Sequence, residues 1–282
     1  MNEKEYDFLK MKVNKLTGLN LDHYKSEQMK RRLDGYISRK GYAGVVPFCG
    51  ALEKGSEAIQ KLMDFLTINV SEFFRDAEQF NVLKNRVIPD LLRRSKSLNI
   101  WSAGCSIGAE PYSVAMMLNE ISPHGRHRIL ATDLDELSLA RARKGGPYSV
   151  THLEQVAPGV RLKNFEKSDD GYIVAPKFRA MVNFKKHNLL KDRFESGFDL
   201  IICRNVTIYF TEDAKEALNR GFDKSLNDDG VLFIGSTESM FDAQALGLKR
   251  MYASFFSKDK DNKPAIPTPA AAKAKMPAVR AA

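Results

Sequence analysis

The sequence predicts an α/β protein in which an all-α N-terminal domain precedes a Rossmann-like domain with a parallel sheet. Three observations predict this class. Apolar residues recur at helical spacing through about the first 65 residues. From about Leu98 onward, short apolar runs alternate with helical patterns, and the first of these runs enters a glycine-rich turn. A chain of 282 residues is long enough for two such cores.

The N-terminal part predicts four helices. The first carries Tyr6, Leu9 and Val13 on one face and stops near Gly18. The others are predicted over about residues 22–39, 45–53 and 57–65. We therefore expect residues 1–70 to form a small helical domain.

The second part, residues 71–257, predicts the sheet. Apolar runs typical of buried strands occupy residues 98–101, 129–132, 182–184, 200–203 and 231–235, and residues 249–256 predict a final hairpin or edge strand. Between about residues 146 and 182 the alternation is irregular, and the run Asp169-Asp170-Gly171 is a hairpin-turn signal, so we expect a small inserted β subdomain. The tail, residues 258–282, is rich in proline and alanine and is expected to be disordered.

Residues 100–111 read Ile-Trp-Ser-Ala-Gly-Cys-Ser-Ile-Gly-Ala-Glu-Pro and predict a strand, a glycine turn and the start of a helix. We expect Gly104 and Gly108 to let the backbone pass close to a bound ligand. The next strand ends in Asp133, and a carboxylate at the tip of this strand is where a nucleoside cofactor has its ribose hydroxyls bound. The alternative is a tight turn that serves packing alone.

The turn also indicates which nucleoside cofactor fits. A dinucleotide site would show Gly-x-Gly-x-x-Gly, but Ser106 stands at the second glycine position. No Walker lysine follows, which argues against a nucleoside triphosphate. S-adenosylmethionine has a ribose and no phosphate, so the sequence favours it as the cofactor.

Two further clusters predict parts of the same cleft. Residues 67–76 read Thr-Ile-Asn-Val-Ser-Glu-Phe-Phe-Arg-Asp at the domain junction, and we predict that Asn69, Ser71 and Arg75 enter the cleft. The alternative makes Ser71 a helix N-cap and Arg75 a surface ion-pair partner. After the third strand of the sheet, Asn188 is placed to contact the adenine and Leu189 to pack on its ring, whereas we interpret His187 as structural.

The run of residues 199–210 predicts a buried strand that ends in Cys-Arg-Asn at the ligand-binding edge of the sheet. A half-buried Arg204 is costly unless it is paired, and Tyr209 lies just beyond with a hydroxyl available to a substrate. The alternative is a salt-bridged Arg204 and a packed Tyr209. We interpret Cys203 as an unreactive buried thiol, because nothing near it in the sequence lowers its pKa.

Composition narrows the class of protein. The content of 43% hydrophobic and 28% charged residues is typical of a soluble globular chain, and no segment has the length of a membrane span. The N-terminus is not a signal peptide, and the 3 cysteines are widely separated without metal-ligand spacing. We therefore expect a cytoplasmic protein with no metal site. The net charge of +9 lies partly in the tail and suits an acidic partner.

Several motifs together resemble the chemotaxis receptor methyltransferases, the CheR family. They are residues 67–75, Trp-Ser-Ala-Gly-Cys-Ser at 101–106, Glu-Pro-Tyr-Ser at 110–113, Ala-Thr-Asp-Leu-Asp at 131–135 and Cys-Arg-Asn-Val at 203–206. The resemblance implies a class I S-adenosylmethionine-dependent methyltransferase domain that methylates glutamate side chains of chemoreceptor cytoplasmic helices and releases S-adenosylhomocysteine. It places Arg75 and Tyr209 beside the transferred methyl group. The cofactor contacts that it implies are Asn69, Ser71, Arg75, Glu110, Asp133, Asn188, Leu189, Cys203, Arg204 and Asn205.

The chain departs from the family pattern at Ala109, where the family usually carries a first glutamate before Glu110. We expect Glu110 to be the carboxylate that matters. The predicted insertion is similar to the family's β subdomain, which in some members binds a tethering peptide of the receptor. We also expect the basic residues of the 22–39 helix, among them Lys30, Arg31 and Arg32, to dock acidic receptor helices; the alternative is a charged helix face that is only solvated.

Two other functions compete with this one. A nucleic-acid methyltransferase is favoured by the isoelectric point of about 9.3, but such enzymes usually carry Pro-Pro-aromatic where this chain has Cys-Arg-Asn-Val. A non-enzymatic adaptor that senses S-adenosylmethionine would dispense with Arg75 and Tyr209. We expect a monomer with the chemoreceptor cytoplasmic domain as partner, no nucleic acid and no membrane insertion.

Overall fold

The N-terminal helices form where the apolar spacing predicts them. The computed structural model describes residues 1–67, 71–238, 240 and 243–258. Its first four helices are α1 (Glu3–Thr17), α2 (Ser26–Arg39), α3 (Val45–Lys54) and α4 (Ser56–Thr67). A capping box at Asn2 starts α1, and Gly18 ends it at a φ of 75°, where a residue with a Cβ would be strained. The second helix begins later than predicted because Asp22 belongs to a short 3₁₀ helix capped by Asn20.

The predicted parallel sheet is confirmed. The strands are β1 (Asn99–Ala103), β2 (Arg128–Asp133), β3 (Phe165–Ser168), β4 (Gly171–Val174), β5 (Val182–Lys186), β6 (Phe198–Cys203), β7 (Leu226–Ile234), β8 (Leu248–Tyr252) and β9 (Phe255–Lys258). The main sheet has the order β5-β2-β1-β6-β7-β9-β8, in which β9 runs antiparallel to β7 and pairs with β8 as the predicted hairpin. Lys258, which we assigned to the tail, ends β9; residues 259–282 lie outside the described residues.

Helices cover both faces of this sheet. The remaining helices are α5 (Ala77–Val82), α6 (Ile88–Arg94), α7 (Ala109–Ile121), α8 (Glu136–Lys144), α9 (Pro158–Asn164), α10 (Pro176–Arg179) and α11 (Glu212–Ser225), with a π-helical segment (Leu83–Val87) joining α5 to α6. Alternate residues of each strand enter different cores: Ile100 packs in one cluster, and its neighbour Trp101 packs in the other. A third cluster fills the N-terminal helices. No described helix is long and apolar enough to cross a membrane.

The segment between α8 and β5 contains the predicted hairpin. Strands β3 and β4 pair antiparallel around a turn at Asp169 and Asp170. Tyr148 anchors this segment to the main core, because its buried hydroxyl donates to the carbonyl of Ile107 (2.7 Å) and its ring meets the edge of Phe73 (4.9 Å between centroids). The inserted segment therefore packs directly against the main core.

The strand order sets the place of a ligand site. From β1 the chain first builds β2 and β5 on one side, and then β6 and β7 on the other. The crevice outside the carboxyl ends of β1 and β6 is thus the topological switch point, where open α/β sheets bind their ligands.

Candidate functional site

A cavity of about 1140 Å³, counted out to its open mouth, lies over the carboxyl ends of β1, β2, β5 and β6. It draws on every cluster that the sequence singled out. The predicted residues on its wall are Ser71, Arg75, Glu110, Asp133, Asn188, Leu189, Arg204, Asn205 and Tyr209. Asn69 lies outside the described residues. The fold therefore gathers segments that are far apart in the chain into one concave site.

The glycine turn after β1 is held by the end of β2. The amides of Gly104 and Cys105 donate to the carbonyl of Thr132 (2.8 and 2.9 Å). Neighbouring side chains fill the space beside the two glycines, so packing by itself requires them. Gly104 also lines the cavity, and the close approach of a ligand to this turn stays a prediction. A Cβ on Gly104 would lie 2.4 Å from Cγ2 of Val206, and one on Gly108 would lie 2.9 Å from Cβ of Ala142.

Asp133 occupies the expected position at the tip of β2. One carboxylate oxygen accepts the amide of Ser106 (2.7 Å), and the other accepts the amide of Asp135 (2.9 Å). Burial raises the pKa of Asp133, and these backbone donors act in the opposite direction. A carboxylate offers about four lone-pair sites, so Asp133 retains acceptors for a pair of ribose hydroxyls.

Glu110 faces the cavity from the first turn of α7. Its carboxylate accepts the hydroxyl of Ser102 (2.8 Å) and lies 3.4 Å from a guanidinium nitrogen of Arg204. Burial raises the pKa of Glu110, whereas Arg204 and Ser102 favour its charged form. Ala109 is fully buried in the core beside it, so Glu110 is the carboxylate that this turn presents to the cavity.

Arg204 combines both of its expected roles, since it lines the cavity and is paired. It is 6% exposed, and it donates to the carbonyl of Arg75 (3.0 Å) and to the carboxylate of Asp76 (2.5 Å). Phe74 and Asp76 have φ values of 55° and 60°, so Arg204 braces a backbone segment in an unfavourable conformation. The N-cap interpretation of Ser71 is wrong, because the next helix begins at Ala77 and Asp76 occupies its N-cap position.

Tyr209 ends a 3₁₀ helix after β6, and the N-terminal domain holds it in place. The guanidinium of Arg32 lies over its ring, 4.8 Å from the centroid, and its carbonyl accepts the amide of Lys25 (2.8 Å). Arg32 is therefore part of the wall behind Tyr209 as well as part of the basic helix.

Three cavity residues from the N-terminal domain were missed by the sequence analysis: Leu19, Tyr24 and Leu66. Tyr24 forms a β-bridge with Phe210, and its ring meets that of Phe210 edge-on at 5.1 Å. Burial and the nearby Asp133 raise the pKa of Tyr24. No local pattern marks Tyr24, because its place on the wall depends on how α2 docks against the sheet domain.

The remaining predicted residues divide between the wall and the core. The side-chain oxygen of Asn188 accepts the amide of Leu190 (3.0 Å), which leaves its NH₂ group for a ligand. His187 meets the edge of Trp101 at 5.7 Å, and burial lowers its pKa; it also borders the cavity. The Cys203 side chain lies in the core beneath, 1% exposed, where burial raises the thiol pKa.

Comparison with known proteins decides the family. The family model described as the CheR methyltransferase S-adenosylmethionine-binding domain matches residues 69–253, and the CheR all-alpha domain matches residues 4–67. The chain belongs to the CheR methyltransferase family. It is accordingly an α/β methyltransferase that uses S-adenosylmethionine.

Curated CheR relatives match over most of their length. The chemotaxis protein methyltransferase of Listeria monocytogenes is 39% identical over 257 residues, which cover 91% of this chain and 98% of the relative. That of Borreliella burgdorferi is 35% identical, covering 79% of this chain and 83% of its own. A solved TehB-like S-adenosylmethionine-dependent methyltransferase from Corynebacterium glutamicum is 18% identical, covers 64% of this chain and 92% of its own, and has a TM-score of 0.38, too low to support an inference.

Proposed function

We propose that this CheR-family enzyme transfers the methyl group of S-adenosylmethionine to glutamate side chains of chemoreceptor cytoplasmic helices, forming methyl esters in chemotaxis adaptation. The observation that carries the proposal is the single cavity that joins Asp133, at the nucleoside end, to Arg75 and Tyr209. Relatives that match nearly the whole chain are named chemotaxis protein methyltransferases, which supports this substrate over others.

The cavity residues fit the cofactor. Asp133 offers acceptors to the ribose hydroxyls, and Asn188 with Leu189 borders the space for adenine. The turn at Ser106 lacks the glycine pattern with which a dinucleotide site binds phosphate, and S-adenosylmethionine has no phosphate to bind. We assign Ser71, Glu110, Arg204 and Asn205 to the amino-acid end, with Asn69 as a predicted further contact.

Methyl transfer to a carboxylate needs little acid–base catalysis from the protein. When bound, S-adenosylmethionine supplies an electrophilic methyl group on a sulfonium leaving group. A glutamate with a pKa of about 4.3 is already ionised at neutral pH, so no general base is needed to make the nucleophile. The enzyme contributes chiefly by holding the carboxylate oxygen in line with the methyl group, and such alignment yields very large effective concentrations.

Arg75 and Tyr209 are the groups that we assign to orientation. Both lie on the cavity wall, and Arg75 is a cation suited to a carboxylate. A tight pair between Arg75 and the substrate would stabilise the ground state as much as the transition state, so its role is to orient the carboxylate. With Tyr209 it also displaces water from the reacting oxygen.

The partner is inferred from charge. A second cavity on the outer side of Tyr209 is lined by four basic residues, Lys25, Arg31, Arg32 and Lys215, against two acidic ones, Glu212 and Glu238. A cationic surface of this kind attracts an acidic helix and weakens as salt rises. We propose that the enzyme acts as a monomer in the cytoplasm, where the receptor's signalling helices lie.

A methyl-transfer assay tests the proposal. The protein is incubated with S-adenosylmethionine carrying a tritiated methyl group and with a chemoreceptor cytoplasmic fragment, and base is then added. Volatile methanol released by base is expected, because carboxyl methyl esters hydrolyse whereas N-methyl groups do not. A fragment whose acceptor glutamates are changed to alanine is the matched control.

The rival functions give different results in the same assay. A nucleic-acid methyltransferase would label DNA or RNA in a base-stable form, with affinity that falls steeply with salt. A sensor would bind the cofactor without labelling any fragment. Either result would overturn the proposal.

A further inference from the structure

Glu238, in the turn after β7, binds the loop that follows β6. One carboxylate oxygen accepts the amides of Asn205 (2.8 Å) and Gly235 (2.8 Å). The other accepts the amide of Thr207 (2.7 Å) and its hydroxyl (2.7 Å). Four donors thus converge on one side chain, and three of them belong to the residues between Arg204 and Tyr209.

The two residues whose amides donate to Glu238 from this loop, Asn205 and Thr207, lie in backbone conformations that need a partner from outside the loop. Asn205 has a φ of 58°, in the left-handed region that costs free energy for a residue with a Cβ. Thr207 is the first residue of the 3₁₀ helix that carries Tyr209, and amides at a helix start have no partner within the helix. The carboxylate supplies that partner and offsets the strain at Asn205.

Gly235 permits this close approach. A Cβ at that position would lie 2.6 Å from the Glu238 carboxylate oxygen and 3.0 Å from the amide nitrogen of Asn205. Any larger residue would displace the carboxylate or the loop. The Glu238 carboxylate can therefore reach the loop only because residue 235 is glycine.

The far end of the same loop is fixed independently. The amide of Lys25 donates to the carbonyl of Tyr209 (2.8 Å), and the amide of Thr211 donates to the carbonyl of His23 (2.8 Å). The N-terminal domain thus holds the end of the loop beyond Tyr209, and Glu238 holds the end nearest β6.

We propose that Glu238 is a positioning residue for methyl transfer: it borders the second cavity but does not line the cofactor cavity, and it acts by fixing Asn205 and Tyr209 against the cofactor cavity. The proposal rests on the proposed function, since it assigns a catalytic benefit to the placement of these residues.

Glu238→Gln tests the proposal with almost no change in size. In either orientation of the glutamine amide, its NH₂ group faces N–H or O–H donors that had donated to the carboxylate, so those hydrogen bonds are lost. Gly235→Ala is the second variant, because it displaces the same carboxylate without removing it. Glu216→Gln is the matched control, since Glu216 lies on α11 and pairs with Arg220 at the surface.

Both test variants are expected to lower kcat by roughly 10- to 100-fold, the cost of a small misplacement of reacting groups. Receptor KM should change far less, and the unfolding midpoint should stay within a few degrees. In the cofactor-free protein, hydrogen exchange at the amides of Asn205 and Thr207 should become faster in both variants. The control should match the wild type in every measurement.

Two results would overturn the proposal: wild-type kcat with unchanged amide exchange in Glu238→Gln, or losses of activity that only follow general unfolding in both variants. Failure of the proposed function is recognised separately, because the wild type would then transfer no methyl group to the receptor fragment. In that event the exchange measurement still decides whether Glu238 holds the loop.

Discussion

Arg204 and Asp76 form an ion pair, with 2.5 Å between guanidinium nitrogen and carboxylate oxygen, that joins the end of β6 to the segment before α5. The Arg204 side chain is 2% exposed and that of Asp76 is 34% exposed. The same guanidinium nitrogen donates to the carbonyl of Arg75. The buried Arg204 therefore holds Arg75, the residue that we assign to the substrate carboxylate, at the edge of the cofactor-binding sheet domain.

Asp76→Asn is expected to lower the free energy of unfolding by about 1–2 kcal/mol, because Arg204 loses its closest charged partner while Glu110 still compensates in part. Asparagine tolerates the left-handed backbone at this position, so the variant isolates the charge. Urea unfolding measures the change. An unchanged midpoint would show that the pair contributes nothing.

Asp133→Ala is expected to weaken S-adenosylhomocysteine binding by about 2 kcal/mol, or about 30-fold, through the loss of charge-assisted hydrogen bonds to the ribose. Calorimetry measures the affinity. Because Asp133 also holds the amide of Ser106, the unfolding midpoint is followed as well. Asp135→Asn, which keeps an oxygen to cap α8, is the control, and equal affinities in the two variants would contradict the assignment.

Arg75→Ala is expected to reduce methyl transfer to the receptor by about 100-fold or more, in line with the loss of an orienting group. Tyr209→Phe should cost less, since only a hydroxyl is removed and the ring still packs against Arg32. Single-turnover rates separate this chemical step from binding. A wild-type rate in Arg75→Ala would remove this residue from the mechanism.

Glu110 predicts a particular dependence of stability on pH. Its pKa is raised chiefly by burial, so the folded protein holds this proton more tightly than the unfolded chain. Stability without cofactor should therefore fall as pH rises from about 4 through the raised pKa, and this part of the fall should be absent in Glu110→Gln. Comparing unfolding midpoints of the two proteins across that range cancels the contributions of buried histidines such as His187. Parallel curves would contradict the prediction.

The basic helix α2 needs a different test from a simple reversal of its charges. Lys30 pairs with Glu3, and Arg32 packs between Phe65 and Tyr209, so only part of the predicted docking stripe is open to a partner. Arg31 and the partly exposed Lys25, which lies 3.8 Å from Glu212, are the better residues to reverse. Lys25→Glu with Arg31→Glu should raise receptor KM about 5- to 10-fold at low salt and leave cofactor affinity unchanged. Lys54→Glu, at the exposed end of α3, is the control. An unaffected KM would assign these charges to solvation alone.

Much of the fold could be predicted because its signals are local. The parallel strands are continuous apolar runs, Gly18 can adopt the left-handed turn that ends α1, and Asp133 follows the second apolar run directly. The glycines of the turn were also found, but their partners were not. Val206 and Ala142 crowd Gly104 and Gly108 from distant parts of the chain, which no local pattern shows.

Local sequence patterns were enough to predict the architecture, the type of cofactor and nine of the residues that line the cavity, because strand ends and turn residues are recognisable over a few positions. The contacts of Arg204, Glu238 and Tyr24 could not be predicted in this way, because they form only when distant segments fold together. Arg204 is positioned by carboxylates from two other segments. Glu238 is positioned by amides of the loop after β6, the strand next to β7. Tyr24 reaches the cavity wall only because the helical domain docks against the sheet domain. Such contacts depend on which distant segments meet in the folded protein, and the spacing of residues along the chain does not show this.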